Sequence, residues 1–242
     1  MRYKLISVMV LLIILCIFVP VAATETAEEW NNRGAYLLSL GKFEEAIDAF
    51  NKAIELDPNC DKAYSNRGGA YFYLKYYDKS LKDFNKAIDL NPKNDANYYN
   101  RGLLYYVLKK YERAIEDYGK AIELNPSDAV YYYNRGIVYR DLEQYKKAME
   151  DFNRAIELNP KYVEAYYNRA IAYFYLDQYD KTIKDCNKAI EIYPNLKEAI
   201  ELREKARKKL LEQHTPTPLG FEAIFAIVGF LMVAYVLRRR NK

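Results

Sequence analysis

A single histidine, His214, serves the whole 242-residue chain. It sits alone between a charged stretch and Thr215-Pro216-Thr217-Pro218. Serine and cysteine hydrolase triads and most zinc sites need a histidine held among partners, so those chemistries are not expected. Cysteine is nearly as scarce. Cys16, Cys60 and Cys186 would stand far apart in a linear stack of the kind read below, so no intramolecular disulfide is expected. Cys186 reads as a small core residue. Glycine is sparse too, and no Gly-rich phosphate loop or paired metal-ligand motif is present. The chain also lacks a real excess of one charge. Its formal +4 arises at the ends, from Arg2, Lys4, Arg238, Arg239, Arg240 and Lys242 against Glu222, and the middle is close to neutral. Nucleic-acid binding needs a basic face. Catalysis, cofactor, metal and nucleic acid are therefore all expected to be absent from the function of this chain.

Tyrosine is abundant, with 26 copies, and five of the eight prolines are regularly placed. Pro58, Pro92, Pro126, Pro160 and Pro194 recur every 34 residues, a period that marks stacked repeats. Around them align A-I-E-L-D-P (Ala53–Pro58), A-I-D-L-N-P (Ala87–Pro92), A-I-E-L-N-P (Ala121–Pro126 and Ala155–Pro160) and A-I-E-I-Y-P (Ala189–Pro194). Upstream runs a second block, W-N-N-R-G from Trp30, Y-S-N-R-G from Tyr64, Y-Y-N-R-G from Tyr98 and Tyr132, and Y-Y-N-R-A from Tyr166. Units thus begin at Ala27, Asp61, Asp95, Ala129 and Val163.

Each unit reads as two helices. In the second, Tyr64, Arg67/Gly68, Tyr71 and Leu74 share one helical face, and Tyr77, Leu81, Phe84, Ala87 and Ile88 share another. The link near Lys75–Tyr76 is short enough for a hairpin. Gly68 and Ala87 let the facing helices approach. The proline stops the second helix, because it lacks an N–H and drives its predecessor out of helical angles. Lys197–Gln213 predicts a closing helix, with Ile200, Leu202, Ala206 and Leu210 on the last unit and Glu201, Arg203, Glu204, Arg207, Lys208 and Lys209 in water.

These residues closely resemble the tetratricopeptide repeat over 27–196. The resemblance rests on the aromatics Trp30, Tyr64, Tyr98, Tyr132 and Tyr166, the small residues Gly34, Gly68, Gly102, Gly136 and Ala170, the alanines Ala53, Ala87, Ala121, Ala155 and Ala189, and the prolines. Thr182 and Cys186 depart from the pattern in the last unit, where stacking stops. The resemblance implies an all-α, right-handed superhelical solenoid of five helix-turn-helix repeats, with units 27–60, 61–94, 95–128, 129–162 and 163–196 and a capping helix over 197–213. It also implies a non-catalytic scaffold whose first helices line a concave groove for a protein or peptide. Clamp-type relatives that grip a terminal carboxylate need several cations at set places. Here only Lys62 matches, so that mode is not expected.

Two readings of the groove stay open. The sixth residue of every unit is asparagine, Asn32, Asn66, Asn100, Asn134 and Asn168. Amides donate and accept, so the row suits the backbone of an extended peptide, with Tyr73, Tyr99, Tyr106, Tyr133, Tyr167 and Tyr175 packing on its side chains. The row resembles the asparagine ladder of sugar-transferring enzymes that carry these repeats. The other reading is that each asparagine bonds to a neighbouring repeat. Tyr71, Tyr105, Tyr111 and Tyr145 fall at packing positions. A surface spacer that self-associates, and a glycan-binding or enzyme-accessory module, are the alternatives to peptide binding.

The ends carry targeting signals. Residues 1–23 combine Arg2 and Lys4, an apolar run from Leu5 to Val19, and Pro20-Val21-Ala22-Ala23, the layout of a secretory signal. An uncleaved anchor is the other reading. Residues 24–26 lead in to the first unit. At the far end a spacer, 214–218, precedes an apolar stretch and Arg238-Arg239-Arg240 within 219–242. The positive-inside rule places the repeats outside the cell. Pro218-Leu219-Gly220-Phe221-Glu222 resembles, with Leu219 interrupting, the archaeosortase-type (PGF-like) sorting signal of archaeal surface proteins. That signal implies replacement of the helix by a lipid; a permanent single-pass transmembrane helix is the alternative. Either way the expected location is the outer face of the cell membrane.

Overall fold

The computed structural model describes residues 25–214 and 225–231. The predicted signal segment and most of the predicted spacer and anchor lie outside these residues. Among the described residues there is no strand. Eleven helices follow one another: α1 (Ala27–Ser39), α2 (Phe43–Leu56), α3 (Asp61–Tyr73), α4 (Tyr77–Leu90), α5 (Asp95–Val107), α6 (Tyr111–Leu124), α7 (Ala129–Asp141), α8 (Tyr145–Leu158), α9 (Val163–Tyr175), α10 (Tyr179–Ile192) and α11 (Lys197–His214). Residues 225–231 are helical and exposed. No helix of the described residues is long and apolar enough to cross a membrane.

The chain forms two compact units, one ending at Leu108 and one starting at Lys109. In the first, α1–α2 and α3–α4 are packed hairpins, and α5 lies against α4 and α3. In the second, α6 lies against α7, α7–α8 and α9–α10 are hairpins, and α11 closes on α10.

Local chemistry sets the helix ends. Thr26 and Glu29 form a reciprocal capping box at the start of α1. Asn94 and Asp128 accept the Ala96 and Val130 N–H groups at 3.1 and 2.8 Å. Each second helix stops two residues before its proline, and the residue between is extended, as at Asn91 (φ −139°, ψ 82°) and Asn125 (φ −140°, ψ 86°). This is the steric effect of a following proline ring. Each first helix ends on a left-handed residue: Gly41, Lys75, Lys109, Glu143 and Asp177, with φ between 56° and 74°. The turn this produces lets the Tyr76 N–H reach the Tyr71 carbonyl at 2.9 Å. Only Gly41 adopts it without a Cβ, so the other four each store about 1 kcal/mol of strain.

The hairpins close on rings set against glycines. A Cβ on Gly34 would lie 2.5 Å from the Phe50 ring, on Gly68 2.9 Å from Phe84, and on Gly136 2.7 Å from Phe152. The Ser80 hydroxyl, fully buried, donates to the Gly68 carbonyl at 2.8 Å. The last hairpin changes both partners: Ala170 and Cys186 stand in these places and share a buried cluster with Tyr166, Ala189 and Ala199. The methyl in place of a glycine and the thiol in place of a ring thus compensate each other.

The closing helix α11 buries Ala199 and Ala206 completely and partly buries Leu202. Arg203, expected in water, instead has only 23% of its side chain exposed and donates to Asn187 at 3.1 Å. The tenth residue of the later repeats is fully buried, at Ala70, Leu104, Val138 and Ala172, whereas in the first it is Tyr36, 65% exposed.

Candidate functional site

The sixth-residue asparagines fall on the first helix of each hairpin, and the structure gives them unequal freedom. Asn32 is exposed and its side chain makes no hydrogen bond among the described residues. The Asn66 amide donates to the Asn31 Oδ1 at 2.9 Å. Asn100 donates to the Ser65 hydroxyl at 3.4 Å, a long contact. In the second unit Asn134 donates back to the Val130 carbonyl at 2.8 Å. Asn168 is committed: its amide donates to the Tyr133 hydroxyl at 3.2 Å and the Glu164 carbonyl at 2.8 Å, its oxygen accepts from Arg140, and it is 5% exposed. One bond from each of Asn66, Asn100 and Asn168 runs to the fifth residue of the preceding repeat, so these amides pin repeat to repeat. An amide carries two N–H groups and one oxygen. Asn66 and Asn100 therefore keep one donor and the acceptor, and Asn168 keeps no donor.

The tyrosines divide similarly. Tyr73 and Tyr175 are 61% and 63% exposed, each with one ring face stacked on a neighbour: Tyr73 on Phe43 at 5.1 Å, Tyr175 on Tyr145 at 5.2 Å. Tyr145 thus does pack. Tyr99 and Tyr106 are half-buried. Tyr133 packs against Tyr162 and Phe152, at ring distances of 4.8 and 6.0 Å. Burial, reinforced by Glu164, raises its hydroxyl pKa above the ordinary phenolic value. Tyr167 lies against the Ala170–Cys186 cluster, and burial raises its pKa as well.

Cys60 and Cys186 are both unpaired thiols. Burial pushes the Cys186 thiol up to about 12, so it is not a thiolate at neutral pH and has no nucleophilic character. Among the described residues no group of His, Cys, Asp and Glu is placed to hold a metal ion.

The arginine of the N-R-G block carries no role that its sequence position alone reveals. The structure gives it one. Arg67, Arg135 and Arg169 each grip an aspartate sixteen residues on, with both carboxylate oxygens bonded at 2.7–2.8 Å: Asp83, Asp151 and Asp185. Arg67 and Arg169 also reach back to Asn51 and Asn153 of the preceding repeat, both at 2.6 Å. Tyrosines three residues before and four after flank the guanidinium, as Tyr64 and Tyr71 do around Arg67 at 5.4 and 6.0 Å. The recurring signal is Y-x-x-R-x-x-x-Y followed by Asp, at the period of the prolines. The first repeat breaks it: Ala49 stands where the others carry Asp, and the carboxylate near Arg33 is that of Glu25, at 3.7 Å.

Repeated helical hairpins with these registers match the tetratricopeptide repeat over 27–60, 61–94, 97–128, 129–162 and 163–196. The chain belongs to the tetratricopeptide-repeat family. Residues 219–240 match the PGF-CTERM motif. No curated relative matches this repeat protein. Solved structures do. YrrB, described as a TPR protein with an unusual peptide-binding site, is 26% identical with a TM-score of 0.62, covering 74% of this chain and 92% of its own. A MamA protein is 27% identical with a TM-score of 0.61, covering 69% and 92%. A thermophilic TPR protein from Thermus thermophilus, 21% identical, shares the fold with a TM-score of 0.58 over 77% of this chain and 100% of its own.

Proposed function

We propose that this tetratricopeptide-repeat protein is a non-catalytic scaffold, held at the outer face of the membrane, that binds an extended protein segment along its first helices. The observation that carries this is the unspent amide capacity of Asn32, Asn66 and Asn100 on α1, α3 and α5. A buried backbone strand needs partners for its own N–H and C=O groups, and these side chains offer both kinds. Tyr73, Tyr99 and Tyr106 supply contact area at low entropy cost beside them. In the second unit Tyr167 and Tyr175 supply ring contact of the same kind, while Asn168 and Tyr133 hold the repeats together. Similarity to YrrB, and the PGF-CTERM match at a tail with three arginines, support the peptide-binding and surface-anchoring parts.

The test is the triple variant Asn32→Ala, Asn66→Ala, Asn100→Ala, assayed on peptides selected from a random library. Affinity is expected to fall about tenfold or more, since each lost hydrogen bond costs about 0.5–1.5 kcal/mol. A melting curve corrects for the loss of the Asn66 and Asn100 bonds between repeats. Unchanged affinity would sink the ladder.

One observation favours a second role, in assembly. Tyr36, 65% exposed, and Leu40, 54% exposed, leave an apolar end on α1 where later repeats are covered. If that end pairs with another copy, sedimentation of the full chain shows concentration-dependent growth that Tyr36→Ser abolishes. A single monomer boundary at all concentrations removes the role.

A further inference from the structure

Gly69 is the one helical glycine of α3 and α4 whose place packing does not explain. Gly68, its neighbour, makes room for Phe84; a Cβ on Gly69 would meet nothing within 4 Å. Mid-helix glycine is costly, because it surrenders more backbone freedom than any other residue. The equivalent residues elsewhere are Ala35, Leu103, Ile137 and Ile171. Gly69 lines a depression of about 220 Å³ with Leu38 of α1, Asn66, Phe72 and Tyr73 of α3, and Leu103 of α5.

Two properties of this depression select an occupant. No charged side chain lines it, whereas four other depressions on the described surface each include lysine or arginine with acidic residues. Its size is below the roughly 300–1,000 Å³ of sites that enclose a free small ligand. Leu38, Phe72, Leu103 and, at the base, Phe84 can desolvate an apolar group. They offer nothing to the hydroxyls of a sugar. The polar lining, Ser65, Asn66 and Asn100, includes two of the amides assigned above to a peptide backbone.

We propose that the Gly69 depression is an anchor pocket taking one uncharged aromatic or large aliphatic side chain of the bound segment, with Asn66 and Asn100 holding the backbone on either side of it. The proposal rests on the peptide-binding reading and adds specificity to it. Gly69 leaves open the space the anchor fills, and the ring of Tyr73, stacked on Phe43, forms a fixed wall.

The test is a positional-scanning library of immobilised octapeptides read with the full chain, wild type against Gly69→Leu. Wild type is expected to prefer Phe, Tyr, Trp or Leu over Ala, Asp or Lys at one position by about tenfold to a hundredfold, the range that burial of such a side chain supplies. Gly69→Leu fills the pocket and is expected to erase that preference while weak retention through the rest of the groove persists. Because the added side chain enters open space and replaces a helical glycine, the variant melts no lower than wild type. Gly69→Ala is expected to give an intermediate preference. If peptides bind and Gly69→Leu keeps the wild-type preference, the anchor pocket is wrong and the groove reading stands. If wild type retains no peptide, both fall. If an oligosaccharide array is retained in place of peptides, and Gly69→Leu abolishes that, the pocket serves sugars and the proposal is overturned.

Discussion

Asp151→Ala is expected to destabilise the second unit by about 3 kcal/mol, the lower end of the cost of breaking a buried ion pair. Asp151 is 5% exposed and accepts two bonds from Arg135. Burial raises the Asp151 pKa while the Arg135 bonds oppose that rise, and those same bonds raise Arg135 above its ordinary value. At Asp151 desolvation outweighs the attraction, whereas at Arg135 the attraction outweighs desolvation. Removing the carboxylate leaves a guanidinium with 24% of its side chain exposed and no counter-charge. The residual solvation of Arg135 keeps the loss from reaching the upper end. Urea denaturation measures it. The paired variant Arg135→Met/Asp151→Leu is expected to recover most of the loss, because it leaves no charge stranded. An Asp151→Ala variant as stable as wild type would show that the brace contributes nothing.

Gly136→Leu is expected to cost about 3 kcal/mol, at the upper end for overpacking. Even a Cβ would stand 2.7 Å from a Phe152 ring that has no exposed surface into which to move. The last hairpin supplies the reciprocal experiment. Cys186→Phe alone drives a ring against the Ala170 methyl and is expected to lower the melting temperature. Adding Ala170→Gly restores it, because the pair then repeats the Gly136–Phe152 arrangement. Independent effects of the two substitutions would contradict this coupling.

The legible features were those fixed by local sterics or a short period. The prolines announced the ends of the second helices because a proline ring dictates the angles of the residue before it. The small residues announced close approach. The exchange of Gly for Ala170 and of the ring for Cys186 is visible in the sequence as two departures, yet its meaning required knowing that the two residues share one buried cluster. The Arg–Asp brace was missed although its period was in view. Residues sixteen apart lie on different helices, and only the hairpin brings them together. Arg203 was misplaced for the same reason, since its partner Asn187 belongs to the preceding helix.

The asparagine row shows the limit most clearly. Sequence established that an asparagine stands sixth in every repeat, that the chain is a stack of helical hairpins, and that little histidine, cysteine or net charge is available for chemistry. It could not rank five identical residues. Their freedom depends on what the fifth residue of the preceding repeat offers and on which cations reach them. Asn168 is spent because Tyr133, Glu164 and Arg140 all converge on it, whereas the Asn32 side chain makes no hydrogen bond among the described residues. Period and composition follow from short-range rules along the chain. Which amide remains available, and that Gly69 opens onto space while Gly68 meets a ring, are decided by contacts between helices that no single helix encodes.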